Sequence, residues 1–138
     1  MSAARYLLDT NIVSDLLRHP RGRVAQHIAA VGVQAITTSI VVACELRFGA
    51  VKSGASRLIR HLDLILQRLP ILSLEPPVDD HYADIRSALE RVGTPIGPND
   101  LLIAAHARAL GLALVTDNLR EFARVPGLQL ENWLDSSK

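Results

Sequence analysis

Acidic side chains stand at places in the sequence where a binding site could form. Asp9 and Asp117 come at or just after the ends of short apolar runs that predict strands. Asp100 begins a long apolar stretch that predicts a helix, and Glu45 lies in another predicted helix. Two ionised carboxylates about 4 Å apart repel each other by roughly 4 kcal/mol at an effective dielectric constant near 20. A cluster of such groups therefore needs a shared proton or a divalent cation, and hard oxygen ligands favour Mg²⁺ or Mn²⁺.

Each of these acids also has a purely structural explanation. Aspartate is common after strands and at helix starts, where it caps backbone N–H groups and suits the helix dipole. A zinc site is not indicated, because the five histidines are scattered along the chain and Cys44 is the only cysteine. Cys44 lies among apolar residues, which predicts a buried thiol in the core.

The spacing of apolar residues predicts strands that alternate with helices. The predicted strands cover residues 6–8, 35–38, 71–74, 112–115 and 128–130. The predicted helices cover residues 11–18, the stretch after Ser39, residues 57–69, a stretch that ends at Gly93, and residues 100–110. This α/β alternation predicts one mostly parallel sheet of four to five strands with helices on both faces. In such sheets the ligand crevice lies beyond the carboxyl ends of the strands.

Two of the predicted helices carry candidate site residues. In the helix after Ser39, four apolar residues recur on one face and predict a buried stripe, with Glu45 beside it. The stripe consists of Ile40, Cys44, Phe48 and Val51. In the other helix, Asn99 is suited to cap a segment that begins near Asp100. This segment is apolar nearly all round and is predicted to lie buried in the middle of the domain.

Length and composition are those of one folded domain. The chain has 138 residues, of which 49% are hydrophobic and 21% are charged, so we expect a single domain over residues 1–138. Charged residues interrupt every apolar run before the roughly 18 residues that a membrane helix needs. Residues 1–5 lack the basic and then apolar pattern of a signal peptide, so a cytoplasmic location is expected. The net charge of +1 gives no argument for nucleic-acid binding.

Four stretches, in this order, resemble the successive motifs of the VapC family of PIN-domain ribonucleases. They are residues 7–11 (LLDTN), 45–50 (ELRFGA), 94–100 (TPIGPND) and 115–122 (VTDNLREF). The tail is also similar to that family, with RVPGL at residues 124–128 and ENW at residues 131–133. Each motif is weak alone, but together they cover essentially the whole chain.

The resemblance implies a three-layer PIN fold and a Mg²⁺-dependent endoribonuclease, with Mn²⁺ as the alternative cation. Such an enzyme would cleave structured RNA, such as tRNA or rRNA, with metal-activated water. The resemblance also implies the toxin of a type II toxin–antitoxin system, a homodimer that is inhibited by a VapB-type antitoxin and contacts DNA only through it. The alternative is a catalytically weak PIN module in a regulatory nucleic-acid-binding complex. Asp9, Glu45 and Asp100 match the first three acidic positions of the family, which hold the metal and take part in catalysis.

The fourth acidic position stays open in this comparison. Many PIN sequences carry that acid two residues after the Thr or Ser that ends the strand, and here this place is taken by Asn118. Asp117 comes one residue early, and Glu121 stands where a VapC subgroup carries an acid. Polar residues that would hydrogen-bond the carboxylates and their waters are Asn11, Thr116 and Asn118.

Two other folds that carry acids and magnesium at strand ends fit less well. A receiver-type phosphoacceptor domain needs a lysine after a late strand, and the only lysines, Lys52 and Lys138, are badly placed. A haloacid-dehalogenase-like phosphatase needs a second aspartate two residues after the first, where this chain has Asn11. The PIN resemblance is therefore the interpretation that the sequence favours.

Overall fold

Strands and helices alternate along the computed structural model, which describes residues 3–134. Residues 1–2 and 135–138 of the expected domain, with Lys138 among them, lie outside the described residues. The strands are β1 (Tyr6–Leu8), β2 (Ile36–Ser39), β3 (Ile71–Leu72), β4 (Ala113–Val115) and β5 (Leu130–Glu131). The α-helices are α1 (Thr10–Arg18), α2 (Arg23–Val31), α3 (Ile40–Ser53), α4 (Ser56–Arg68), α5 (Val78–Arg91), α6 (Pro98–Leu110) and α7 (Leu119–Phe122).

The strands form one parallel sheet in the order β3-β2-β1-β4-β5. In the central strand β1, Leu8 is in register with Thr38 of β2 and with Val115 of β4. The chain builds one half of the sheet from β1 to β3 and then adds β4 and β5 on the other side of β1. The predicted parallel α/β fold is confirmed, and its ligand crevice is expected where the strand order reverses, beyond the carboxyl ends of β1 and β4.

Helix α6 lies in the core, as its apolar residues predict. Ile103, Ala104 and Ala105 have no exposed surface, and α6 packs along α5. His106 is fully buried as well, and its Nδ1 lies 2.8 Å from the hydroxyl oxygen of Ser39, the residue that caps α3. Burial lowers the pKa of His106, which favours the neutral ring. This contact ties α6 to the beginning of α3.

The face of α3 that the sequence predicts to be buried is exposed in the structure. Phe48 and Val51 are 67% and 69% exposed, and Ile40 is 40% exposed. Cys44 is also exposed, so the prediction of a buried core thiol is wrong. The buried side of α3 consists instead of Val41, Val42, Ala43, Leu46 and Ala50. Apolar residues occupy almost every side of this helix, so their spacing could not identify the buried face.

Helix α6 begins earlier than predicted. Its N-cap is Gly97, and Pro98 takes the first position, where proline is favoured because its missing N–H has no helical partner to lose. Asn99 is therefore inside the helix, and its predicted role as a cap is wrong. The apolar pattern predicts neither α2, in which only two residues are buried, nor α7, which has four residues. Within residues 3–134, none of the helices combines the length and the apolar character needed to cross a bilayer.

Candidate active site

Asp9 stands at the carboxyl end of the central strand, where it caps α1. Its Oδ1 accepts a hydrogen bond from the Thr10 N–H at 2.8 Å, and its Oδ2 accepts one from the Thr116 hydroxyl at 2.8 Å. Thr116 follows β4, so two neighbouring strand ends fix this carboxylate. Burial raises the pKa of Asp9, while the two hydrogen bonds favour the ionised form and oppose that rise. Thr116 therefore hydrogen-bonds a candidate site carboxylate, which is the contact that the family resemblance implies for this residue.

Glu45 extends from α3 to the same edge of the sheet. Its Oε1 accepts a hydrogen bond from the Thr10 hydroxyl, and its Oε2 accepts one from the Asn99 side-chain amide at 3.3 Å. Thr10 begins α1 and Asn99 lies in the first turn of α6, so Glu45 joins the starts of two helices. Its negative charge contributes to the raised pKa of Asp9. Asn99 therefore orients a candidate site residue instead of capping its own helix.

Asp100 and Glu121 are neighbouring acids whose pKa values move in opposite directions. Burial, followed by the nearby charge of Glu121, raises the pKa of Asp100 to about 7. Glu121 stays ionised because its Oε1 accepts a hydrogen bond from the Gly97 N–H at 3.0 Å, which is the main cause of its lowered pKa. Of the two carboxyl groups, Asp100 is therefore the one that is protonated below a pH of about 7, while Glu121 stays ionised. The charges of Asp9 and Glu45 also favour the protonated form of Asp100.

The two candidates for the fourth acid have different surroundings. Asp117 is exposed, and its Oδ1 accepts a hydrogen bond from the Asn11 side-chain amide at 3.1 Å. Glu121 is half-buried, and its Oε2 accepts a hydrogen bond from the Asn118 side-chain amide at 2.8 Å. The Asn118 N–H also donates to the Thr116 hydroxyl oxygen at 3.0 Å. Glu121 is thus close enough for its charge to raise the pKa of Asp100, whereas Asp117 bonds to the Asn11 amide.

The donors of this cluster are chemically suited to a hard divalent cation. They are carboxylate oxygens, the ligands that Mg²⁺ and Mn²⁺ prefer. Crowded negative charge contributes to the raised pKa values of Asp9 and Asp100, and a cation would relieve it. In the geometry described for residues 3–134, no three acidic, histidine or cysteine side chains are already close enough to enclose an ion. Metal binding would therefore draw the side chains together and remove the proton of Asp100.

The sequence also matches the model of a protein family over most of the chain. Residues 6–128 match the model of the PIN domain family. The chain belongs to the PIN domain family.

Relatives within that family are similar to the chain over nearly their whole length. Ribonuclease VapC2 of Haemophilus influenzae (strain ATCC 51907 / DSM 11121 / KW20 / Rd) is 41% identical over 131 residues, which are 94% of this chain and 98% of the relative. The tRNA(fMet)-specific endonuclease VapC of Salmonella typhimurium is 37% identical and covers the same shares. A chain in the crystal structure of VapBC2 from Rickettsia felis, bound to a DNA fragment from their promoter, superposes with a TM-score of 0.87 at 37% identity, covering 93% of this chain and 98% of that one. These likenesses place the chain among the VapC ribonucleases.

Proposed function

We propose that this chain is a Mg²⁺-dependent endoribonuclease that acts as the toxin of a type II toxin–antitoxin system. The observation that carries the proposal is the acidic cluster at the carboxyl edge of the sheet, in a chain that is 41% identical to a VapC ribonuclease. Structured RNA, tRNA or rRNA, is the substrate class that we infer. The name of the Salmonella typhimurium relative, a tRNA(fMet)-specific endonuclease, supports tRNA. The cytoplasm remains the predicted location.

The acidic side chains that would hold Mg²⁺, or Mn²⁺ in its place, are Asp9, Glu45 and Asp100, with Asp117 or Glu121 as the fourth. When bound, the cation would lower the pKa of a water molecule and offset negative charge on the scissile phosphate. The chain itself orients the acids for this purpose. Thr116 and the Thr10 N–H hold the two oxygens of Asp9, and the Thr10 hydroxyl holds Glu45. Asp100 must release its proton before it can take part as an anionic ligand.

RNA cleavage by the purified protein tests this proposal. Incubation with tRNA and rRNA is expected to give discrete fragments in the presence of Mg²⁺ and none after the cation is removed with EDTA. Primer extension on the fragments would identify the RNA that is cleaved and the position. A folded protein that binds RNA without cleaving it would instead favour the alternative, a catalytically weak PIN module in a regulatory complex.

A matched pair of substitutions decides between the two candidates for the fourth acid. Glu121→Gln and Asp117→Asn each remove one negative charge and keep the size of the side chain. We expect Glu121→Gln to raise the Mg²⁺ concentration for half-maximal cleavage by about tenfold, because the charge of Glu121 acts on Asp100 while Asp117 is exposed. A larger effect of Asp117→Asn would assign the role to Asp117. If both variants need the same Mg²⁺ concentration as the wild-type protein for half-maximal cleavage, three carboxylates suffice to hold the cation.

A VapB-type antitoxin is the protein partner that we infer, and a groove between α1, α2 and α4 supports it. This antitoxin groove has a volume of about 470 Å³, and its mainly apolar lining includes Leu16, Ile28, Leu64 and Ile65. Grooves of this kind accommodate the apolar face of an amphipathic helix. An arginine presented by the same partner would suit the acidic site and exclude cations from it. We assign DNA contact to the antitoxin, since the net charge of this chain is only +1.

A homodimer is the oligomeric state that we infer, and the exposed face of α3 supports it. This α3 stripe, which consists of Ile40, Cys44, Phe48 and Val51, carries no charge. It extends for about 17 Å along the helix at roughly 1.5 Å per residue. A second copy can cover the stripe with its own stripe about a two-fold axis, as an isologous interface requires. Exposed apolar faces commonly mark interaction surfaces.

Cys44 allows the dimer to be tested, because it lies within the stripe and is the only cysteine of the chain. Mild oxidation is expected to link two wild-type chains through Cys44, and Phe48→Glu is expected to convert the dimer to a monomer in light scattering. Cys44→Ser is the control, which should stay dimeric without the cross-link. A monomeric wild-type protein at high concentration would contradict the dimer. A dimer that neither cross-links nor responds to Phe48→Glu would place the interface elsewhere.

A further inference from the structure

Two cavities outside the acidic cluster meet at one arginine. The first, which we call the site groove, lies between α1, α3 and α4, begins at Thr10 and Glu45, and has a volume of about 440 Å³. The second, which we call the basic cleft, has a volume of about 680 Å³ and lies at the loop between α1 and α2. Arg18 lines both cavities. The site groove therefore extends from Thr10 and Glu45 at one end to Arg18 at the other, and Arg18 also borders the basic cleft.

Helix α1 sets the length of this path. Thr10 and Arg18 are its first and last residues, and eight steps of about 1.5 Å place them roughly 12 Å apart along the helix axis. A stacked nucleic-acid strand advances about 3.4 Å per nucleotide, so the path corresponds to roughly three or four nucleotides. The walls of the site groove between its two ends include Leu17, Leu46 and Leu62. Such apolar walls suit nucleobases, while the charged ends suit a metal-bound phosphate and a free phosphate.

Three exposed arginines lie together at the basic cleft. Arg18, Arg21 and Arg23 are exposed, and none of their side chains pairs with a carboxylate in the part of the chain that the structure describes. Arg57 and Arg60 also lack an acidic partner among the described residues, but they line neither cavity. The arginines with acidic partners are Arg47 with Asp63, Arg86 with Glu90 and Arg108 with Asp84. The acid of the cleft, Asp15, is buried and lies 3.9 Å from His19. The cleft therefore presents a net positive surface that begins at Arg18, about 12 Å along the helix axis from Thr10.

We propose that the RNA strand bound at the acidic site continues through the site groove, and that Arg18, Arg21 and Arg23 bind its phosphates in the basic cleft. This inference rests on the proposed ribonuclease function. Guanidinium groups bind phosphate oxygens through paired hydrogen bonds. Phosphate contacts fix the register of a nucleic acid on a protein without reading its sequence. The three arginines thus position the strand and offset the repulsion between its phosphates and the catalytic acids.

Binding of a labelled single-stranded RNA of mixed sequence tests this assignment. All proteins carry Asp9→Asn, which prevents cleavage, and binding is measured with Mg²⁺ at several salt concentrations. The test variant combines Arg18→Gln, Arg21→Gln and Arg23→Gln. The control combines Lys52→Gln, Arg57→Gln and Arg60→Gln, the same change of charge at exposed positions that line neither cavity.

The test variant is expected to bind the RNA at least about tenfold more weakly than the control. The slope of log affinity against log salt should also fall by about 2, because each single-strand phosphate contact contributes roughly 0.7. In proteins with Asp9 restored, the test substitutions should raise KM for RNA more than they lower kcat. All six substituted side chains are exposed, so unfolding midpoints should stay close to that of the parent protein.

The outcomes separate this inference from the function on which it rests. Equal affinity and equal salt slope in the test and control variants, with normal cleavage by the wild-type protein, would overturn the role of the basic cleft and leave the ribonuclease intact. A wild-type protein that cleaves no RNA would overturn the proposed function instead. If the test variant keeps its RNA affinity but no longer binds an acidic peptide that the control binds, the cleft recognises a protein, and the RNA assignment is overturned.

Discussion

Asp9→Ala and Asp100→Ala are each expected to abolish RNA cleavage while the protein stays folded. Both acids belong to the cluster at the edge of the sheet, and both would hold the cation that offsets charge on the phosphate. Removing such charge stabilisation from a transition state costs on the order of 10³-fold in rate. Single-turnover cleavage at saturating Mg²⁺ measures this loss. Asp79→Ala, which removes an exposed acid of α5, is the control and should cleave like the wild-type protein.

Stability measurements show whether a loss of cleavage comes from the chemistry or from unfolding. Asp100 has a pKa of about 7 in the folded protein and 3.8 as its ordinary value, so ionising it costs stability as the pH rises between these values. Asp100→Asn cannot ionise and should therefore be more stable than the wild-type protein at pH 8 without Mg²⁺. We expect its free energy of unfolding to be higher by at least about 1 kcal/mol, which is roughly the equivalent of one pKa unit. Undiminished cleavage by Asp100→Ala would contradict the site assignment.

Growth arrest is expected when this chain is produced alone in bacteria, and no arrest when it is produced with the product of its genomic neighbour. A freely active ribonuclease destroys RNA that the cell needs, and a partner that covers the acidic site would prevent this. Viable counts after induction, followed over several orders of magnitude, measure the effect. Arrest should disappear for Asp9→Ala, because that variant would lack a principal metal ligand.

The antitoxin groove provides a second control for this experiment. Leu64→Glu places a charge among the apolar residues of the groove at an exposed position, so it should weaken protection by the partner while RNA cleavage is retained. Growth that is unaffected by abundant, soluble wild-type protein would count against the toxin function and leave a milder PIN ribonuclease in place. Growth arrest by Asp9→Ala would show that toxicity does not come from the acidic site.

The positions of the acids at strand ends could be predicted from the sequence because they depend on local signals. The apolar run Tyr6–Leu8 ends at Asp9, and in a parallel sheet the next residue necessarily lies at the carboxyl edge. The same holds for Thr116, which follows β4 and donates to Asp9. The buried side of α3 could not be predicted in this way, because apolar residues such as Phe48 occupy its exposed side as well.

Other features of the candidate site could not be predicted from the sequence because they depend on contacts between distant segments. Glu121 receives a hydrogen bond from the Gly97 N–H, which is 24 residues away, and that contact becomes visible only in the folded chain. Helix α7, which presents Glu121, has four residues and therefore no periodic pattern. Asn99 is a residue type that commonly caps helices, but here its side chain donates a hydrogen bond to Glu45 across the site. The family resemblance indicates Glu121 as a candidate, and only the structure shows that its charge acts on Asp100.

A titration of the cleavage rate with Mg²⁺ at several pH values tests directly whether the acidic cluster is a metal-dependent catalytic centre. The proton on Asp100 competes with the cation below a pH of about 7. The midpoint concentration of Mg²⁺ is therefore expected to fall by about tenfold between pH 6 and pH 8, as the linkage of one proton to one cation predicts. No cleavage is expected at any pH when EDTA is present. A cleavage rate that is the same with EDTA and with Mg²⁺ would contradict this expectation.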